Sequence, residues 1–422
     1  MVAITSADIE DVQEVSGLQQ SMLFTSLSDP SGGHYVEQFY MAFRVFDAPS
    51  MQEALGELIK RHWALRSLFV WREQDKALLV TLGSLESPLV EVEYAPADSL
   101  LEVDRAKGFS LDKVPPIRFT YALSPEGDAR CILTFHHAAV DGWSIANLTD
   151  EILSLYGAIA NDLPLPAATA DVKPQAQSEN AAPVLWEPHL QGLPHRVNLG
   201  PLVASRFSTP TYAQHELKIS EDQTQQVNRW CKLQRITLSS LVHCVWGLSL
   251  AYLNGRDAVV FGSIDSGRRA LTNGEFAVGM FMSLLPIRVD VTEATAPGEF
   301  VRNFQSQYWK ILELPPLNPA DVASKSAGPP SAALFDSVVI IQNYPQPNSW
   351  QEIHLDALEG HEQADVPLVL AVGVDNELTA LFRYQVHNLE ESAVATLSEL
   401  FHRLLLAVCL SLIHISEPTR PY

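Results

Sequence analysis

Cysteine is scarce in this 422-residue chain. Only four are present, and no two of them stand in a Cys-x-x-Cys arrangement. Structural zinc sites draw ligands from closely spaced pairs, so the sequence does not support a metal site. Cys231 and Cys244 lie in apolar, helix-like sequence, which is typical of small core residues. We therefore expect a reduced chain without a bound metal ion.

Basic residues are also few. The chain has 28 Lys and Arg against 50 Asp and Glu, which gives a formal net charge of −22. A surface with this excess of negative charge repels phosphate backbones and anionic membrane surfaces. We expect neither a nucleic acid nor a membrane as a partner.

No run of 18 or more apolar residues occurs, so we expect no membrane-spanning segment. Residues 1–15 (MVAITSADIEDVQEV) are acidic and lack the basic and apolar regions of a secretion signal. The sequence therefore predicts a cytoplasmic protein.

What the chain does contain is mixed helical and strand periodicity in two halves. Hydrophobic residues make up 47% of the chain, enough for a sizeable core. Helical spacing predicts helices over residues 50–61, 144–158, 222–233, 237–253 and 390–408. β-rich runs predict strands over residues 66–71, 77–81, 90–94, 117–123, 129–135, 258–264, 284–291, 336–342, 368–374 and 380–386.

The two halves are separated by residues 161–183, a Pro- and Ala-rich stretch without periodicity that is typical of a linker. We predict an α+β fold of two similar lobes, residues 1–172 and 173–409. Residues 410–422 continue no pattern, and we predict a disordered or artefactual tail there.

The clearest chemical motif is the segment HHAAVDGWS at residues 136–144. A β-rich run ends at His136 and His137, and Asp141 and Gly142 lead into a helix. Loops that follow strand ends are common places for reactive side chains, and histidine moves protons near neutral pH. Gly142 permits backbone angles or close approaches that a side chain would prevent. The alternative is that the paired histidines only fill or cap a strand end.

This segment resembles the HHxxxDG signature of nonribosomal peptide synthetase condensation domains, which have the chloramphenicol acetyltransferase-like fold. Other resemblances follow in the family's order: residues 18–24 to LQxGMLF, 61–69 to RHxxLRTxF, 186–193 to a W…L.gL segment, 261–268 to FGxxxSGR, 278–288 to VGxFxNTLPxR and 334–345 to LFDSxxxxxNYP. Together they run from about residue 9 to residue 408.

The resemblance implies two lobes in a V-shaped pseudo-dimer with an active-site tunnel between them. A donor acyl or peptidyl thioester and an acceptor aminoacyl thioester would enter from opposite faces, each on the phosphopantetheine of a carrier domain. The chain itself would bind no cofactor. An adenylation domain would be an adjacent partner, and the condensation domain would be monomeric.

The resemblance also implies roles for individual residues. His137 would take a proton from the acceptor amine or orient that amine, and His136 would support the loop. Asp141 would pair with an arginine, Arg66 first and Arg61 second. Gly142 would place an N–H near the developing oxyanion. The tunnel would be lined by Trp143, Ser144, Ser283, Gln19 and Asn343.

Two departures weaken parts of the match. Ser283 and Leu284 replace the usual Asn-Thr of the VGxFxNTLP motif, and Ser21 replaces the usual Gly of the first motif.

The sequence does not match the motifs that distinguish three related families. An epimerization domain would need an EGHGR-like segment shortly before residue 278, where residues 266–269 are SGRR. The similar string LEGHE at 358–362 comes too late in the order, and we predict a surface turn there. A heterocyclization domain would carry aspartate in place of His136, and a plant-type acyltransferase that uses coenzyme A would carry a DFGWG motif. Two alternatives stay open: a terminal domain that releases product by cyclisation, and a non-catalytic carrier-docking domain.

Overall fold

The computed structural model describes residues 6–30, 33–71, 77–86, 89–169, 171–174, 182–194, 199, 212–269, 271–291, 296–316, 335–342, 355–361, 366–374 and 377–410. Its helices in this part of the chain are α1 Gly17–Ser28, α2 Ala48–Arg61, α3 Ala97–Ala106, α4 Gly142–Ala160, α5 Ala182–Leu190, α6 Glu221–Gln234, α7 Leu238–Asn254, α8 Pro297–Leu312 and α9 Glu391–Leu410. Its strands are β1 Ile9–Glu14, β2 Val36–Phe43, β3 Ser67–Trp71, β4 Ala77–Leu82, β5 Leu89–Val92, β6 Ile117–Leu123, β7 Ala129–His136, β8 Tyr212–Ile219, β9 Ala258–Asp265, β10 Ser283–Asp290, β11 Ser337–Gln342, β12 Leu355–His361, β13 Leu368–Val374 and β14 Leu378–Gln385.

The chain divides into two compact units. The described residues of the first unit lie within Met1–Gln177, Ser266–Met282 and Tyr344–Gln363. The other described residues form the second unit. The sequence places one boundary at residues 172 and 173, whereas the chain returns twice to the first unit after that point. The stretch Ser266–Met282 carries Arg268, which binds Asp141 of the HHxxxDG motif.

The first unit is built on a five-stranded sheet in the order β12-β2-β7-β6-β5, beside a three-stranded sheet in the order β1-β4-β3. The two predicted strands β6 and β7 pair antiparallel with each other, and β7 also pairs antiparallel with β2, with Val36 opposite His136. β7 is therefore a central strand of this sheet, and the HHxxxDG motif begins at its end.

Helix α2 shows why the sequence folds as it does in this unit. Asp47 caps its first turn by accepting a hydrogen bond from the Ser50 N–H. The predicted apolar face, made by Met51, Leu55 and Leu58, is buried in the first unit's core. Burying such side chains contributes about 1.5–3 kcal/mol each.

The second unit has one six-stranded mixed sheet in the order β10-β9-β11-β13-β14-β8. α7 is buried along most of its length, and Trp246 packs against Phe382 and Phe401. Cys244 is also in this core, where burial raises the pKa of its thiol to about 12. The prediction that Cys231 and Cys244 are core residues is confirmed.

Among the described residues one helix, α9, is long and apolar enough to cross a membrane, with a mean hydropathy of 1.6. Seven of its side chains are buried in the second unit: Val394, Leu397, Ser398, Phe401, Leu405, Val408 and Cys409. The apolar character of α9 therefore serves, at least in part, the packing of that core.

The predicted surface turn at residues 358–362 is wrong. Residues 355–361 form β12, which pairs antiparallel with β2 at the edge of the five-stranded sheet, with Leu358 opposite Met41. This segment has no regular β periodicity, so pairing with a strand more than 300 residues earlier decides its conformation.

The protein is expected to lose stability as the pH falls below about 6.5. His243 is buried in the second unit, donates from Nδ1 to the Ser239 carbonyl at 2.7 Å and accepts from the Ser263 hydroxyl at 2.7 Å. Burial lowers the pKa of His243 to about 4. The unfolded chain therefore takes up a proton before the folded chain does, so stability is fully present above pH 6.5 and declines towards pH 4.

Urea unfolding at pH 7.0 and pH 5.0 tests this. Each such histidine contributes about 1.4 kcal/mol per pH unit inside its window. The decline should be shallower in His243→Gln than in the original chain. An equally steep decline in both would contradict the assignment.

Candidate active site

The loop from His137 to Asp141 is fastened to the elements around it. The His137 N–H donates to the Tyr35 carbonyl at 2.8 Å, which ties the loop to the turn that precedes β2. Gln19, in the first turn of α1, donates from Nε2 to the Ala138 carbonyl at 2.8 Å. Asp141 is the N-cap of α4 and accepts from the Ser144 N–H at 2.9 Å. The loop therefore has a fixed shape.

The tautomer of the His137 ring follows from one contact. Nδ1 lies 3.1 Å from the Val140 carbonyl oxygen, and a carbonyl can only accept, so Nδ1 carries the proton of the neutral ring. Nε2 is then the nitrogen that can take a further proton. The side chain is 17% exposed, in contrast to its buried neighbour His136. The arrangement suits a group that receives a proton.

His136 uses both ring nitrogens inside the first unit. Nδ1 accepts from the Ala138 N–H at 3.1 Å, so Nε2 carries the proton and donates to the Ser26 hydroxyl at 2.9 Å. Burial, with a smaller effect from the neighbouring His137, lowers the pKa of His136 to about 3. His136 is therefore neutral at physiological pH and holds the loop against α1.

Asp141 is paired with Arg268. The guanidinium donates from Nη1 to Oδ2 at 2.8 Å and from Nη2 to Oδ1 at 2.7 Å, and both side chains are buried. The Phe281 N–H donates to Oδ2 at 3.0 Å. The Ser144 hydroxyl accepts from Arg268 Nη2 at 2.9 Å and lies 2.8 Å from Oδ1. The carboxylate is thus fully hydrogen-bonded, as a buried charge must be.

Comparison with known proteins identifies the family. The sequence profile of the family described as Condensation domain matches residues 9–414. A linear gramicidin synthase polypeptide from Brevibacillus parabrevis is 30% identical over 403 residues, which cover 89% of this chain and 5% of that protein. The chain belongs to the condensation-domain family.

Solved structures agree on the fold. The first condensation domain of the calcium-dependent antibiotic synthetase, in complex with a substrate analogue, superimposes with a TM-score of 0.74 at 17% identity and covers 95% of this chain and 97% of that one. A four-domain nonribosomal peptide synthetase bound to AMP and glycine gives a TM-score of 0.76 at 17% identity, with 99% of this chain and 34% of that one covered. The predicted family and its α+β fold are confirmed.

The condensation domain spans only a small part of the curated relatives, 5–8% of three linear gramicidin synthase polypeptides. Condensation domains are acyltransferases that form amide bonds on substrates held by partner carrier domains, and the predicted enzyme class is therefore confirmed.

The predicted partners of Asp141 in this condensation domain are wrong. Arg66 donates instead to Glu10 at 2.9 Å and to backbone carbonyls of Leu82 and Ile59. Arg61 binds Glu57, Glu151 and the Pro166 carbonyl. Each of these guanidiniums is therefore already engaged by other groups of the first unit.

Arg268 is the functional residue that reasoning from the sequence missed. It lies 127 residues after Asp141. A signal was present, since Arg268 ends the FGxxxSGR match at residues 261–268. An arginine that directly follows a motif glycine was a candidate for a buried role.

The structure gives several predicted tunnel residues other contacts. Ser144 is entirely buried and belongs to the Asp141 cluster. Gln19 is 6% exposed and binds the loop. Trp143 is half-buried and donates from Nε1 to the Glu275 carbonyl at 2.8 Å. Ser283 begins β10 in the second unit, and Asn343 lies outside the described residues.

Gly267 sets the position of Arg268. Its φ is +67°, and a Cβ there would lie 2.0 Å from the Phe281 carbonyl oxygen. Replacing Gly267 by alanine is therefore expected to lower the free energy of unfolding by roughly 1–3 kcal/mol, because it forces apart two backbone segments that meet around the buried pair. Thermal unfolding measures this loss of stability. Gly33→Ala is the control, because Gly33 also has a positive φ but a Cβ there would meet no atom within 4 Å. Equal losses in the two variants would contradict the role given to the close approach.

Proposed function

We propose that this condensation domain joins a donor acyl or peptidyl thioester to the amine of an acceptor aminoacyl thioester. Both substrates are held on the phosphopantetheine arms of partner carrier domains. The domain itself binds no cofactor. It acts as a monomeric unit in the cytoplasm, beside an adenylation domain and without nucleic acid or membrane. Its relatives among synthetase polypeptides support the carrier and adenylation partners.

The observation that carries the proposal is the His137 ring. The Val140 carbonyl fixes the proton on Nδ1, and the partial exposure of the side chain leaves Nε2 positioned to receive a proton. A docking domain without chemistry would not need this tautomer to be fixed.

In the proposed reaction His137 alone carries the proton from the amine to the leaving thiolate. The acceptor nitrogen forms a bond to the donor carbonyl carbon, and the amine proton passes to His137 Nε2. The carbon–sulfur bond then breaks, and the proton passes from the ring to the departing thiolate. The Gly142 N–H, at the start of α4, is our candidate donor to the oxyanion. The product stays on the acceptor carrier.

Intact-protein mass spectrometry of two loaded carriers mixed with the domain tests this. We expect the donor carrier to lose its acyl group and the acceptor carrier to gain it. A free cyclised product would identify a terminal releasing domain. Unchanged loads on both carriers, with binding retained, would identify a docking domain and overturn the proposal.

A further inference from the structure

A second ionisable side chain lies against the His137 ring. Glu37 is the second residue of β2, opposite Phe135 of β7, and is 3% exposed. Its Oε1 is 3.7 Å from His137 Nε2. Nε2 is the ring nitrogen that can take a proton, because Nδ1 already donates its own to the Val140 carbonyl. A carboxylate is thus buried within ion-pair distance of the atom where positive charge would appear.

A negative charge at this distance favours the protonated form of the imidazole, and partial burial strengthens the attraction. Asp141 and Arg268 neutralise each other, and His136 is kept neutral by burial. Glu37 is therefore the carboxylate placed to act on His137.

We propose that Glu37 is a positioning residue for the condensation reaction, stabilising the cationic His137 that forms when Nε2 takes the proton of a primary amine. This inference rests on the proposed function. Glu37 acts through His137 and makes no contact with the thioester carbon.

The test is a double-mutant cycle on single-turnover amide formation. Glu37→Gln is expected to lower the single-turnover rate at saturating acceptor carrier by about tenfold to a hundredfold, with little change in the acceptor-carrier concentration that gives half of that rate. Glu37→Asp, which keeps the charge, should recover part of the rate. In a His137→Ala background, Glu37→Gln should have no further effect. Glu91→Gln, an exposed glutamate on β5, is the matched control and should keep the full rate.

A full additional loss from Glu37→Gln in the His137→Ala background would overturn the inference, because Glu37 would then act without the histidine. An NMR titration of the labelled His137 ring gives a second readout that needs no substrate. Its midpoint should move to lower pH in Glu37→Gln, and an unchanged midpoint would overturn the inference. Absence of product with the original chain would instead refute the proposed function, and the titration would still judge Glu37.

Discussion

Arg268→Ala is expected to lower the free energy of unfolding by about 3–5 kcal/mol. The substitution leaves the Asp141 carboxylate buried without its cation, although the Ser144 and Phe281 amides still donate to it. Removing one member of a buried pair costs more than the pair contributes, because the remaining charge has lost access to water. Domains typically have only about 5–15 kcal/mol of stability, so the variant should be poorly soluble.

Urea unfolding measures this loss. Arg269→Ala is the control, because Arg269 is the exposed neighbour of Arg268. Asp141→Asn should also be destabilised, and the double variant should lose clearly less than the sum of the two single losses. The assigned pairing is contradicted if Arg268→Ala is as stable as Arg269→Ala, or if the losses of Arg268→Ala and Asp141→Asn simply add in the double variant.

His137→Ala is expected to slow amide formation by about 10²- to 10⁴-fold. In the proposed mechanism the imidazole takes the amine proton, and no other side chain in the described part of the loop is given that role. Some activity should persist, because holding two tethered substrates together itself accelerates their reaction. The variant should stay folded, since the side chain is partly exposed and the loop is held by backbone groups and by Gln19.

Single-turnover rates on loaded carriers measure this effect. His402→Ala, a partly buried histidine on α9, is the matched control and should react at the original rate. Thermal unfolding of both variants separates a catalytic loss from a folding loss. Equal rates for His137→Ala and the original chain would remove the role assigned to this residue.

Much of the local structure was predictable because it depends on periodicity. The apolar positions of α2 and the β-rich runs of β6 and β7 match the observed elements within a few residues. The place of His137 beyond a strand end followed from the same pattern. The family motifs then supplied the chemistry that periodicity could not.

The contacts between distant segments were not predictable in this way. β12 exists because β2 offers an edge, and Asp141 pairs with Arg268 because the chain returns to the first unit at residues 266–282. The local sequence around Arg66 and Asp141 does not predict that return of the chain. The contact between Glu37 and His137 was not predictable either, because it depends on the register between β2 and β7. The predicted V shape and tunnel remain predictions.

The most direct test of the proposed chemistry is the protonation state of the His137 ring in solution. A nitrogen-correlated NMR spectrum of histidine-labelled protein above its titration midpoint, assigned with His137→Ala, distinguishes the two tautomers. We predict a proton on Nδ1 and a lone pair on Nε2, as the Val140 contact requires. A neutral ring protonated on Nε2 would contradict this chemistry, because that nitrogen could then not receive the proton of the amine.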